Sequence, residues 1–226
     1  LVNQAAKMRY MFGGKLTLPM VLRLPSGGGI GAAAQHSQSL EKWVASIPGL
    51  KAVYPSNAAD AYGLMLSAVE DENPVIYFEH KALYAMPSEV PDTIEPVPIG
   101  KAKVVREGAD VTIVTYGKQV LDSMAAAEEL AGAGVDVEVI DLRSLYPWDK
   151  EAVMASVEKT GKLVLVSEET KRGAYIAEIA AVVADEGFYS LDAPIVRVGA
   201  LDTPVPFSPT LEAAMLPNAA DIVAAV

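Results

Sequence analysis

His36 is one of two histidines in 226 residues, and it follows a loop with four glycines in five positions, Gly27-Gly28-Gly29-Ile30-Gly31. Ala34-Gln35 precedes it and the small polar run Ser37-Gln38-Ser39 follows. Glycine reaches backbone conformations closed to other residues and lets the main chain approach a ligand closely. An imidazole can give or take a proton near neutral pH. The pairing suggests a site for proton transfer, although a tight connection with a structural histidine has the same local features.

Other chemistries can be weighed on the same residues. Gly29-Ile30-Gly31-Ala32-Ala33-Ala34 fits a G-x-G-x-x-A pattern after a strand, which in a dinucleotide-binding protein seats pyrophosphate on a helix N-terminus. Against it, the next strand ends in Tyr54-Pro55-Ser56 with no acid to hold a ribose, and Pro25 intrudes on the turn. Serine hydrolysis lacks a G-x-S-x-G elbow. The acidic runs Glu168-Glu169 and Glu70-Asp71-Glu72 have the groups for acid–base work, but runs of this kind near element ends are expected to be solvated. Ala68, Val69, Asp71 and Asn73 crowd a helix-to-strand turn, where carbonyls, a carboxylate and an amide make an oxygen-only cage suited to a hard cation. A capped helix end explains the same spacing.

The elements that must position these groups alternate along the chain. Helix is expected over residues 1–12, 37–47 and 57–70, the last capped by Ser56, with strands over 19–24, 50–54 and 74–79. A second run gives strands over 111–115, 135–142, 162–166 and 194–198, and helices over 118–130, 149–159 and 174–186. Between the runs, Pro87, Pro91, Pro96 and Pro98 sit among charges without a period. The expected organisation is therefore α/β with mostly parallel sheets, residues 1–88 and 109–226 forming two modules and 89–108 linking them.

Composition narrows the function. A formal charge of −11 repels phosphate backbones and argues against nucleic acid. The absence of cysteine removes disulfides, thiolate nucleophiles and cysteine metal sites, and two histidines make zinc improbable. No apolar run is long enough to span a bilayer, so no membrane role is expected and the chain is expected in the cytoplasm, or in the mitochondrial matrix of a eukaryote. It opens on Leu1 within a helical pattern and stops at Val226 within another, which suggests a piece of something longer.

Several segments, in order and across essentially the whole chain, resemble the beta subunit of the thiamine-diphosphate-dependent 2-oxo acid dehydrogenases. They are Ala34-Gln35-His36-Ser37-Gln38-Ser39-Leu40-Glu41, Ile47-Pro48-Gly49-Leu50-Lys51-Ala52-Val53-Tyr54-Pro55-Ser56 and Glu70-Asp71-Glu72-Asn73-Pro74-Val75-Ile76. Asp141-Leu142-Arg143-Ser144-Leu145-Tyr146-Pro147-Trp148-Asp149, Ser156-Val157-Glu158-Lys159-Thr160-Gly161 and Asp202-Thr203-Pro204-Val205-Pro206-Phe207 complete the set. Tyr10-Met11-Phe12-Gly13-Gly14 and Glu79-His80-Lys81-Ala82-Leu83-Tyr84-Ala85-Met86 lean toward pyruvate- or acetoin-cleaving members.

The resemblance implies a transketolase-like fold: the latter part of a pyrimidine-binding domain, then a transketolase C-terminal-type parallel-sheet domain. It implies an alpha subunit, in an alpha2beta2 heterotetramer, holding most of the thiamine diphosphate and its magnesium, and a lipoyl acyltransferase as acyl acceptor. His36 matches the family's active-site histidine, implying that it binds substrate and stabilises or protonates the intermediate formed as the thiazolium ylid attacks the carbonyl. A structural potassium ion is implied at Met20, Ala68, Val69, Asp71 and Asn73. The family's cofactor-activating glutamate belongs upstream of Leu1, so no cofactor-binding residue is assigned in this chain, and activity of this piece alone is not expected. Asp202 and Thr203 are expected to order a loop, and the second module to serve assembly. A branched-chain 2-oxo acid dehydrogenase subunit, a nicotinamide-dependent oxidoreductase and a non-catalytic assembly module are the competing readings.

Overall fold

Short apolar runs bounded by glycine and proline become the strands of two sheets in the computed structural model, which describes residues 1–226. The opening segment is a 3-10 turn at Ala5–Lys7 and one α-helical turn, α1 (Met8–Met11), shorter than the helix expected over 1–12. β1 (Val21–Ser26) runs on through Pro25, which is tolerated because β1 is an edge strand. One short turn, α2 (Ala33–His36), precedes the helix expected over 37–47, which shrinks to α3 (Glu41–Ala45). β2 (Lys51–Val53), α4 (Ala58–Glu70) and β3 (Val75–His80) follow. Asn57, not Ser56, caps α4 by accepting from the Asp60 N–H; the Ser56 hydroxyl donates to Asp141 at 2.5 Å.

After the proline-rich stretch come β4 (Lys103–Arg106), β5 (Val111–Thr115), α5 (Gln119–Gly132), β6 (Val137–Asp141) and β7 (Ser144–Tyr146). Then α6 (Lys150–Thr160), β8 (Leu163–Thr170), α7 (Ile176–Glu186), β9 (Val196–Ala200), α8 (Pro209–Met215) and α9 (Ala219–Val223) complete the chain. Asp149 caps α6 by accepting from the Ala152 N–H, and Gly161 ends it in the left-handed region at φ 68°. The second sheet has the order β4-β6-β5-β8-β9 and is parallel except at β4.

Two features depart from the expected division into 1–88, 89–108 and 109–226. β4 lies inside the stretch expected to link the modules, yet pairs antiparallel with β6. β7 comes from the second half but pairs antiparallel with β2, giving the first sheet the order β1-β3-β2-β7. The rest of the proline-rich stretch is strapped to α4: Val97 N–H donates to the Gly63 carbonyl at 3.0 Å, and the Ser67 hydroxyl to the Val97 carbonyl at 2.6 Å. A side chain at position 63 would strike the strap, its Cβ standing 2.6 Å from Val97 Cγ2.

The largest core is continuous between the sheets. It joins Ala52, Tyr54, Ile76 and Phe78 of the first half to Val114, Ile140, Leu142, Leu145, Leu163, Leu165, Ile176 and Ile179 of the second. Full burial of each such Ile or Leu contributes roughly 1.5–3 kcal/mol. On the far face of the second sheet, Ala126, Ala127 and Leu130 of α5 and Ile222 of α9 pack on Ile113, Val139 and Val166. Leu64 and Ala68 of α4 cover Val53, Val75 and Tyr77.

Candidate functional site

The glycine loop leaves the C-terminal end of β1, the end at which open parallel sheets place their ligands. Its path needs glycine: φ is 82° at Gly27, 82° at Gly29 and 69° at Gly31. Ala33 also takes a positive φ, 61°, a costly conformation for a residue with a side chain. At Gly27 the requirement is double, since a Cβ there would stand 2.2 Å from His80 Nε2. His36, the last residue of α2, is exposed and its imidazole makes no hydrogen bond within the chain. The next residue, Ser37, is buried at 1 % exposure. The loop thus presents an imidazole free to act on something outside the chain.

Three N–H groups of the loop are held by carboxylates from the second half. Gly28 donates to Glu168 Oε1 at 2.6 Å, Gly29 to Glu212 Oε1 at 2.9 Å and Gly31 to Glu212 Oε2 at 2.9 Å. These carboxylates stand where a pyrophosphate would have to sit, and the helix behind them has four residues. The dinucleotide reading of G-x-G-x-x-A is therefore physically closed.

Beneath the loop lies a buried acidic layer. Glu168 Oε2 is 2.8 Å from His80 Nε2, while Ala82 N–H donates to His80 Nδ1 at 3.2 Å, so the ring carries its proton on Nε2. Burial opposes ionisation of Glu168, but His80 and the Gly28 N–H outweigh it and hold the carboxyl below the usual range. Glu41 accepts from the Ser26 hydroxyl at 2.6 Å. Burial, reinforced by the charge of Glu169, pushes Glu41 up to about 8. Glu169 is itself raised by burial, although Tyr175 N–H at 2.6 Å, Lys42 N–H at 3.1 Å and the Tyr116 hydroxyl at 3.1 Å donate to it. Glu168 and Glu169, at 8 % and 1 % exposure, are thus the opposite of the solvated run expected.

A cavity of 590 Å³ opens nearby, with Arg23, Tyr62, Tyr77, Glu79, His80 and Tyr84 among its lining residues. His36 does not line it. Glu79 is engaged by Arg23 Nε at 2.5 Å and by the Tyr84 hydroxyl at 2.8 Å.

The proposed cation ligands gather at the other end of β1, roughly 20 Å away at about 3.3 Å per residue. Met20 accepts from Val75 N–H at 2.9 Å, which puts it beside the turn carrying Asp71 and Asn73. Asp71 Oδ1 accepts from Asn73 N–H at 2.9 Å and Asn73 Nδ2 at 3.0 Å, and Oδ2 pairs with the Lys51 ammonium. Burial works against that carboxylate, but these donors hold it below its ordinary range. The carbonyls of Ala68 and Val69, in the last turn of α4, receive no hydrogen bond. Asp202, expected to order a loop, makes an exposed two-point pair with Arg172 at 2.8 and 3.0 Å.

The sequence singled out His36, the glycines and the turn from Ala68 to Asn73, but not that Glu168, Glu212, Glu41 and His80 converge beneath the loop. The available signal was slight: Glu168-Glu169 comes one residue after the apolar run Leu163 to Val166, within β8, and Glu212 is the sole charge of α8.

A model described as the transketolase pyrimidine-binding domain matches residues 1–87, and one described as the transketolase C-terminal domain matches residues 100–222. The chain is 51 % identical over 223 residues to the acetoin:2,6-dichlorophenolindophenol oxidoreductase subunit beta of Bacillus subtilis, covering 99 % of this chain and 65 % of that protein. It is 46 % identical over 226 residues to the pyruvate dehydrogenase E1 component subunit beta of Rickettsia felis, covering all of this chain and 69 % of that one. Among solved structures, a split gene transketolase described as an inactive beta4 tetramer superposes with a TM-score of 0.76 at 29 % identity, over 92 % of this chain and 66 % of the other. The chain therefore spans about two thirds of the length of these relatives.

Proposed function

We propose, since the chain belongs to the beta subunits of the thiamine-dependent pyruvate, acetoin and branched-chain 2-oxo acid dehydrogenase components, that it serves in cleaving pyruvate, acetoin or a related 2-oxo compound. The acyl group then passes to lipoamide on a lipoyl acyltransferase. The reading includes an alpha subunit, an alpha2beta2 assembly, and a location in the cytoplasm or, in a eukaryote, the mitochondrial matrix. No helix of the chain is long and apolar enough to cross a membrane.

The observation that carries this reading is the exposed, unpartnered imidazole of His36 on a loop whose backbone is held in place. An imidazole so presented can donate a proton to a substrate oxygen as negative charge develops there, and can recover it from the product or solvent. The loop supplies position; the partner surface closing over it supplies exclusion of water.

The residues of this chain do not fit as holders of the cofactor. Glu168 and Glu212 are satisfied by loop N–H groups, and Glu41 and Glu169 are buried. None is presented beside His36 to receive an aminopyrimidine ring, and no basic residue pairs with the loop to receive a diphosphate. Thiamine diphosphate and magnesium are accordingly assigned mainly to the alpha subunit. The cation turn does fit a potassium ion: the free carbonyls of Ala68 and Val69 and the oxygens of Met20, Asp71 and Asn73 would hold it, in a structural role.

Titration calorimetry with thiamine diphosphate and with NAD, on the chain alone and mixed with the alpha subunit, tests the reading. Thiamine diphosphate should bind only in the mixture. NAD binding by the lone chain, or no cofactor binding by the mixture, would overturn it.

A further inference from the structure

We infer that Glu212, assisted by Glu168, is a positioning residue for His36, so that the C-terminal half sets the direction in which the imidazole is presented. The inference rests on the role given to His36 above and assigns the second half a part in that site beyond assembly.

Alternating positive φ values turn the N–H groups of Gly29 and Gly31 toward one point, a concavity of the kind that binds an anion. The anion here is internal. Glu212 reaches it with both oxygens at 2.9 Å from 181–183 residues away in sequence, and only 3 % of Glu212 is exposed. No cation pairs with Glu212; the two glycine N–H groups are its hydrogen-bonding partners. A carboxylate buried in this way needs the loop conformation as much as the loop needs the carboxylate.

The neighbouring contacts tighten the same arrangement. A Cβ at Gly28 would stand 3.0 Å from Cδ1 of Leu216, the residue that caps the end of α8, and 3.3 Å from Glu212 Oε1, so loop and helix end are closely packed. Gly27 N–H donates to the Gln38 carbonyl at 3.1 Å, which draws the two ends of the excursion together. His36 hangs between two fixed points, Gly31 on Glu212 and the buried Ser37. Movement of Gly31 therefore passes through one helical turn to the imidazole.

The test is Glu212→Gln in the enzyme reconstituted with its partner subunit, alone and combined with His36→Ala. Glutamine keeps the shape but replaces one acceptor with a donor facing a glycine N–H. Amide exchange at Gly29 and Gly31 should quicken about tenfold or more as that bond is lost. Turnover should fall by about tenfold to a hundredfold with KM nearly unchanged, the scale of a displaced catalytic group. In the His36→Ala background the same substitution should cost almost nothing, because a positioning residue has nothing left to position.

Unchanged amide exchange, retained turnover in Glu212→Gln, or an undiminished loss in the His36→Ala background each overturns the inference. Full turnover in His36→Ala alone overturns instead the role of the imidazole, while amide exchange still reports whether Glu212 anchors the loop. If Glu212→Gln does not fold, Gly31→Ala carries the same readouts. Its methyl meets open space, but its φ of 69° strains the loop from the other side.

Discussion

His80 Nε2 lies 2.8 Å from Glu168 Oε2, and that contact joins the end of β3 in the first sheet to β8 in the second. Both groups are buried, at 3 % and 8 % exposure. Removing His80 leaves Glu168 Oε2 buried without its donor, with only the Gly28 N–H remaining on Oε1. His80→Ala should lower the unfolding free energy by roughly 3 kcal/mol. A denaturant titration showing a loss below about 1 kcal/mol, the level of an exposed pair, would sink the assignment.

Glu41 gives stability a pH dependence of defined sign. Its carboxyl is pushed up to about 8 from an ordinary value of 4.5, so between these limits the folded chain keeps a proton that the unfolded chain releases. Its favourable contribution is full below the unfolded value and is lost as pH rises through the folded one. Asp141, raised to about 7 by burial, acts in the same direction, so the comparison must be with a variant. Relative to the parent, Glu41→Gln should gain stability from pH 5 to pH 8.5 by on the order of a few kcal/mol. A stability difference that is flat with pH would refute it.

His36→Ala should leave the fold intact, because the ring is exposed and bonded to nothing in the chain. Turnover of the reconstituted enzyme should drop by about 10²-fold or more, the scale of a lost acid–base group. Near-normal rates would take the imidazole out of the mechanism.

The cation turn makes a prediction that needs no partner. A potassium ion bound only by the folded chain raises the melting temperature by mass action. Melting in potassium chloride should therefore exceed melting in choline chloride at equal ionic strength. Coincident curves across a wide concentration range would argue that Asp71 is satisfied by Lys51 and Asn73 alone.

Much of the fold was legible because it is written locally. β5 and the first half of β8, Leu163 to Val166, are mostly apolar as both-sided burial demands, and Asp149 and Gly161 mark the ends of α6. What was hidden depends on distant partners. β7 is three residues long and exists because β2, some ninety residues earlier in the chain, offers it an edge. The segment after His36 does not form one helix, since the first turn of α3 aims Lys42 N–H at Glu169, 127 positions away. For the same reason Glu168-Glu169 looked like a wetted run: Gly28, Lys42 and Tyr116, which satisfy the pair, are remote in sequence.

Because β7 closes the first sheet from the second half, and Tyr54, Phe78, Tyr116 and Leu145 share one interior, backbone continuity is not what keeps the halves together. A protease cutting the exposed proline-rich segment should yield two peptides that migrate as a single particle until denaturant is added. Expressed from separate genes, the same two peptides should each lack part of a hydrophobic interior and become soluble only when made in the same cell.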